Sequence, residues 1–331
     1  MRASTLKATI AALIDLKRPC LVEGSPGLGK TQLFGQVCKD KGIGFVHFHA
    51  PTMQPEDLAL PAANASRTAI DFLVNSRFPL EGRDGPDAGV ILIDELSQGD
   101  NAIQKTCANL IQEREIHGQK LKPGWVAMAT GNLQTDRAGA NRILSHLSNR
   151  VTRLKLDAHL DDWCNWALDH DIDPTIIAFL RFKPAQLMDF DPARDSYPTP
   201  RAWSEGVSPI IGNLPEEAEF EAISGAVGEG AASEFVGFLK ISRKLPNPDL
   251  VLLQAADHEV YTEPSINYAL SGALAHRASA DNFDRVMTYA KRMPPEFMVL
   301  VVRDAVRRDP GIIDTRAFVD WSVKEGREVL I

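Results

Sequence analysis

Short, unbroken apolar runs alternate with stretches of helical periodicity through the first half of the chain. Pro19-Cys20-Leu21-Val22-Glu23, Gly89-Val90-Ile91-Leu92-Ile93-Asp94-Glu95 and Gly124-Trp125-Val126-Ala127-Met128-Ala129-Thr130-Gly131-Asn132 are such runs, each closing on polar residues. Runs of this length without strict alternation predict strands buried on both faces of a parallel sheet. Between them, apolar residues from Lys30 through Val37 and from Asn101 to Arg114 (Ile103, Cys107, Leu110, Ile111) fall at helical spacing, and Glu115 to Leu121 reads as a small hairpin. From about residue 216 the pattern turns helical: Glu217 to Leu245, Asn282 to Met293, Glu296 to Arg308 and Thr315 to Val329. Pro246-Asn247-Pro248-Asp249, Met293-Pro294-Pro295 and Asp309-Pro310-Gly311 punctuate these segments. Phe235, Phe238 and Leu239 are helix-core positions in this reading.

The junction after the first run carries the candidate chemistry. Gly24-Ser25-Pro26-Gly27-Leu28-Gly29-Lys30-Thr31 lies between an apolar strand and a helix that continues through Gln32. Its glycines let the backbone curl so that several N–H groups point at one anion, with the positive end of the helix behind them. A triphosphate fits that cup: Lys30 reaches the β and γ phosphates as a point charge, and the Thr31 hydroxyl is placed to ligate Mg²⁺. Asp94 and Glu95 close the second run at the C-terminal end of its strand, where ligands bind in open α/β sheets. Asp94 is expected near the Mg²⁺ shell and Glu95 as the group that orients or deprotonates a water. Asn132, ending the third run, is expected to hold that water or contact the γ-phosphate.

Composition narrows the partners. The chain has 331 residues and a formal net charge of −8, which argues against broad attraction to nucleic acid and favours a protein partner. No apolar stretch approaches a membrane span and the N-terminal residues lack a secretory pattern, so the expectation is a cytoplasmic protein without membrane insertion. Four cysteines, Cys20, Cys38, Cys107 and Cys164, are scattered with no paired spacing and read as core thiols. His47 and His49 share one strand face, but no carboxylate or cysteine stands at ligand spacing, so they read as core or rim histidines.

Taken in this order, Gly24 to Thr31, Val90 to Glu95 and Ala129-Thr130-Gly131-Asn132 resemble the AAA+ ATPases, with Asn132 where that family has its sensor 1 asparagine. Arg137-Ala138-Gly139-Ala140-Asn141-Arg142-Ile143-Leu144, followed by Leu147-Ser148-Asn149-Arg150-Val151, is similar to the arginine-finger segment of MoxR-type and dynein-related members. The resemblance implies that Arg150 reaches the nucleotide of a neighbouring subunit, with Arg142 a second trans contact. Met53 to Pro61 is similar to the stretch after the second strand in MoxR-like ATPases, although a proline-started turn with acids at its N-terminus accounts for it locally. Pro198-Thr199-Pro200-Arg201 is similar to the start of the family's lid helix, which makes Arg201 the sensor 2 arginine. The fold implied is an α/β P-loop NTPase core (residues 1–157), a C-terminal α-helical lid beginning at 158–215, and its remainder with a helical extension (216–331).

The activity that this resemblance implies is ATP hydrolysis with Mg²⁺ in a ring homo-oligomer of six subunits that remodels a protein partner, such as one bearing a von Willebrand factor A domain. The hairpin from Ile116 to Leu121 would lie toward the pore if it corresponds to the family's pre-sensor hairpin; an ordinary polar hairpin is the alternative. A nucleic-acid motor or loader, and a nucleotide-gated assembly scaffold with slow turnover, are the alternatives.

Overall fold

A computed structural model describes residues 1–133 and 150–324, and the chain divides into two compact units, Met1–His159 and Leu160–Ile331. The first unit is built on the buried apolar runs. Strands β1 (Cys20–Glu23), β2 (Gly44–His49), β5 (Ala88–Asp94), β8 (Gly124–Gly131) and β9 (Thr152–Lys155) form one parallel sheet in the order β2-β5-β8-β1-β9. Hairpins β3 (Ala59–Ala63) with β4 (Ile70–Val74) and β6 (Glu115–Ile116) with β7 (Gln119–Lys120) are separate two-stranded pieces.

Both faces of the sheet are covered, which is why its strands lack polar alternation. Ile91, Ile93, Ala127 and Ala129 pack on one side with Ile103, Cys107, Leu110 and Ile111 of helix α3 (Asn101–Glu113). Val90, Leu92, Val126 and Met128 pack on the other with Leu6 and Ile10 of α1 (Ala3–Asp15) and Phe34 and Val37 of α2 (Lys30–Lys41). Val90 through Ile93 are fully buried, as expected of an interior strand covered on both faces. The β6–β7 turn has positive φ at both His117 (46°) and Gly118 (79°), the backbone of a tight hairpin. Its polar groups are engaged: His117 stacks on Phe72 of β4, and Gln119 Nε2 donates to the Phe72 carbonyl at 2.9 Å. The Met53 to Pro61 segment forms a short 3₁₀ turn, Pro55–Asp57, with Gln54 N–H donating to Asp57 Oδ2 at 2.8 Å.

The second unit is helical. Its helices are α4 (Leu160–Asp169), α5 (Pro174–Phe182), α6 (Glu216–Val227), α7 (Glu229–Arg243), α8 (Pro248–Leu253), α9 (Pro264–Arg277), α10 (Phe283–Ala290), α11 (Pro295–Arg308) and α12 (Arg316–Lys324). The helical pattern from Glu217 to Leu245 is carried by two helices that meet at Gly228, whose φ of 83° no helix accommodates. Pro198 to Trp203 introduces a single π-helical turn, Ala202–Val207, closed by Ser208 N–H donating to the Trp203 carbonyl. Phe235 and Phe238 enter an aromatic core with Phe179. Phe235 also meets Trp203, whose indole N–H donates to the Gln186 carbonyl at 2.7 Å. Helix α9 packs between α5 and α11, where Arg181 and Asp304 form a buried ion pair. All four cysteines are buried and free, and burial pushes the Cys38 thiol up to about 11. Among the described residues, no helix is long and apolar enough to cross a membrane.

Candidate functional site

The site forms where β1, β8 and β5 reach their C-terminal ends. Glu23 lies in register with Gly131, and Ile93 with Ala129, so β8 stands between the strand that feeds the glycine-rich loop and the strand that ends in Asp94. This order brings Thr130 and Asn132 to the middle of the site. The end of the third apolar run announces Asn132; nothing in the sequence announces Thr130.

The loop geometry meets the demands of a phosphate cradle. At Gly24 a Cβ would come within 2.8 Å of the Leu156 carbonyl oxygen, so only glycine fits there. Gly27 and Gly29 both have φ of 78°, and Gly29 opens α2 from the left-handed region with no side-chain cap. Leu28 turns back onto the apolar face below the loop, and Gln32 is the exposed residue of the first turn of α2. Ser25 and Pro26 are half-buried at the loop tip. Lys30 is buried, and its ammonium donates to the Gly24 carbonyl at 2.6 Å, the Ser25 carbonyl at 3.0 Å and Asn132 Oδ1 at 3.0 Å. These bonds hold the ammonium at the mouth of the loop, where the half-buried residues Ser25 to Gly29 turn.

Asp94 is the hub of the second half. Thr31 Oγ1 donates to its Oδ2 at 2.8 Å, Thr130 Oγ1 donates to its Oδ1, and His47 Nε2 stands 3.2 Å from Oδ2. Burial pushes this carboxyl up, but the bonds from Thr130, Thr31 and His47, with the charge of His47, outweigh it and hold Asp94 below the usual carboxylate range. A hydroxyl and an ionised carboxylate side by side are hard oxygen donors, the set that suits Mg²⁺. The residues present therefore fit a nucleotide and its divalent cation.

Glu95 has φ of 54°, a left-handed conformation that costs a non-glycine residue about 1–3 kcal/mol and that clusters at functional sites. Its N–H donates to Thr130 Oγ1 at 2.9 Å, so one buried hydroxyl fixes both acids: it gives its proton to Asp94 and accepts from the Glu95 backbone. The Glu95 side chain itself has no hydrogen-bonding partner among the described residues.

The remaining expected residues make no bond to this set among the described residues. Arg150 sits against the end of α3, bonded to Gln112 Oε1 and 3.9 Å from Glu113, with its side chain 58% exposed. Arg201 belongs to the second unit, where it is exposed and 3.7 Å from Glu205. Arg142 lies outside the described residues. Sequence reasoning missed three groups. Thr130 carries no signal of its own inside the third run, and His47 meets a carboxylate only because β2 pairs with β5, the strand that ends in Asp94. Arg153 of β9 grips the buried Glu23 with two bonds, Nε to Oε2 at 2.9 Å and Nη2 to Oε1 at 2.6 Å, bracing the strand end that leads into the loop.

No protein-family model and no curated protein matches the chain. Solved structures with a likeness to it include a protein assigned as an ATPase from Cytophaga hutchinsonii (14% identity, TM-score 0.36, covering 92% of this chain and 79% of that one). NtrX from Brucella abortus in complex with ADP is another (18% identity, TM-score 0.37, 71% of this chain and 65% of that one). A RuvB variant of Thermotoga maritima is a third (15% identity, TM-score 0.39, 76% of this chain and 74% of that one). Likenesses this distant carry no functional weight, which rests on the site's own geometry.

Proposed function

We propose that this chain is an ATP-hydrolysing AAA+ ATPase of the MoxR-like or dynein-related group, acting as a ring oligomer that remodels a protein partner. The observation that carries the hydrolytic reading is the two sets of bonds that tie adjacent residues of the loop's end to the strand ends: Lys30 to Asn132, and Thr31 to Asp94, which Thr130 links to Glu95. Phosphoryl transfer needs position and charge neutralisation more than covalent help from the protein. Lys30 and the loop amides neutralise the phosphates. Thr31 and Asp94 would hold Mg²⁺, which supplies charge stabilisation at the phosphate oxygens. Glu95, with no side-chain bond to give up among the described residues, is placed to take a proton from water, and Asn132 exchanges its contact with Lys30 for one with the water or the γ-phosphate.

The ring and its partner rest on sequence resemblance and on Arg150. Its guanidinium lies on α3 and away from its own loop's bonded network, which suits a residue that serves an adjacent subunit. Steady-state hydrolysis tests the reading. Glu95→Gln is expected to lower the rate by about 10²–10⁴-fold, the range for a general base. Arg150→Ala is expected to lower it by about 10³–10⁵-fold where it acts as an arginine finger, while ADP binding to the isolated subunit persists. Wild-type turnover in both variants would overturn the assignment.

A further inference from the structure

The segment that leads from Glu95 into α3 is tied at both ends and left unbonded between them. Glu95 N–H donates to Thr130 Oγ1 at 2.9 Å, and the Gly99 carbonyl accepts from Gln104 Nε2 of α3 at 3.0 Å. Between these ties lies one 3₁₀ turn, Leu96–Gln98, with Ser97 at its middle. Ser97 is 2% exposed, yet its Oγ has no hydrogen-bonding partner among the described residues. Gln104 Oε1, on the side chain that ties Gly99, is buried and unpartnered as well. Buried hydroxyls nearly always find a partner, and one left without it costs the fold the desolvation of its dipole. The group that faces Ser97 is the end of β8. A Cβ built on Gly131 would meet Ser97 Oγ first, at 3.5 Å, so the hydroxyl faces the bare backbone of the residue before Asn132. The Gly131 carbonyl accepts from Gly24 N–H, the first glycine of the phosphate loop, over a long 3.3 Å, and a carbonyl has a second lone pair to offer.

We infer that Ser97 is a positioning residue for Glu95: in the conformation that hydrolyses, its hydroxyl donates to the Gly131 carbonyl and ties the turn behind the acid to the strand end that presents Asn132. This rests on the hydrolytic reading of the site. The bond joins three parts of one machine, the loop through Gly24, the strand end through Gly131 and the acid through its turn. Ser97 acts through Glu95 and not on the nucleotide. Its effect is to remove freedom from the turn, since a displacement of about 1 Å in a reacting group costs on the order of 10²-fold in rate.

The test is single-turnover ATP hydrolysis by the full chain, with ADP affinity and melting temperature measured alongside. Ser97→Ala is expected to lower the rate about 10–100-fold while ADP affinity stays within about 2-fold of wild type. The same variant should melt no lower than wild type, and up to about 4 °C higher, because the hydroxyl it removes has no bond to lose. In a Glu95→Gln background, Ser97→Ala should lower the residual rate by less than about 2-fold, since residues that act as a unit do not lose their effects twice. Gly131→Ala is the second variant. Its methyl makes ordinary contacts, 3.5 Å to Ser97 Oγ and 3.8 Å to Leu21 Cδ1, but stands between the hydroxyl and the strand end, so it should reproduce the loss and add nothing to that of Ser97→Ala. Hydrolysis at the wild-type rate in Ser97→Ala, an equal loss with and without Glu95, or a marked fall in melting temperature overturns the inference and leaves the hydrolytic reading standing. No hydrolysis by the wild-type chain, or a Glu95→Gln variant as fast as wild type, overturns both.

Discussion

Two buried aspartates, one in each unit, show how the same side chain is put to different uses. Asp304 on α11 is 2% exposed and is gripped on both oxygens by the Arg181 guanidinium of α5, Nη2 donating to Oδ1 at 3.0 Å and Nη1 to Oδ2. Its charge is cancelled permanently by a fixed planar fork. Asp94 is also largely buried, yet its partners are two hydroxyls and an imidazole. None of these is a planar fork that engages both carboxylate oxygens at once, so each bond can be exchanged singly. A carboxylate matched to a guanidinium joins two helices; one matched to small, rotatable donors is ready to exchange them for a cation.

That contrast is sharpest at the largest expected effect. Asp94→Asn should lower ATP hydrolysis by about 10²-fold or more, by removing the charge that faces the cation, while denaturant unfolding shows a loss of no more than about 1–2 kcal/mol. Severe unfolding in this variant would mean that Asp94 is a structural charge like Asp304. For Asp304→Ala the balance is reversed. Arg181 is left buried without its partner, and stability should drop by about 3–5 kcal/mol, whereas the double change Arg181→Met with Asp304→Leu recovers most of it. A single variant as stable as wild type would show that the pair contributes nothing.

The smallest effect is the acid limb of stability. At Asp94 the upward push of burial is outweighed by the bonds from Thr130, Thr31 and His47, which hold the carboxyl below the usual carboxylate range. Glu219 of α6 is lowered too, where the bond from Arg243 and the Gly212 N–H outweigh burial. Depressed native values mean that the stabilisation is complete above the ordinary carboxylate value of about 4 and is lost as pH falls through the lower native values. Melting temperature should therefore decline steeply on the acid side. Glu219→Gln and Asp94→Asn should each make that decline shallower, and slopes unchanged from wild type would remove the linkage from these two groups.

Legibility in the sequence followed distance along the chain. The loop from Gly24 to Thr31 and the acids at Asp94 and Glu95 were readable because each motif is contiguous and its apolar flank states the strand that carries it. The fully buried β5 was readable for the same reason. The contacts that finish the site were not. His47 meets Asp94 across 47 positions, Lys30 meets Asn132 across 102, and Arg153 meets Glu23 across 130. The break at Gly228 was hidden by apolar spacing that happened to keep its phase through the turn.

Local patterns therefore determined which segments are strands or helices, which faces are apolar, and that a phosphate cradle and a pair of acids exist. Apolar strands of similar length are interchangeable as far as their own residues are concerned, so the order in which they lie side by side is set by packing of the whole sheet against its helices. Only that order put β8 between the two motifs, gave Thr130 both acids to hold, and brought His47 to Asp94. The physical reason is that periodicity records burial, whereas the choice of neighbour depends on all the surfaces competing to be buried at once.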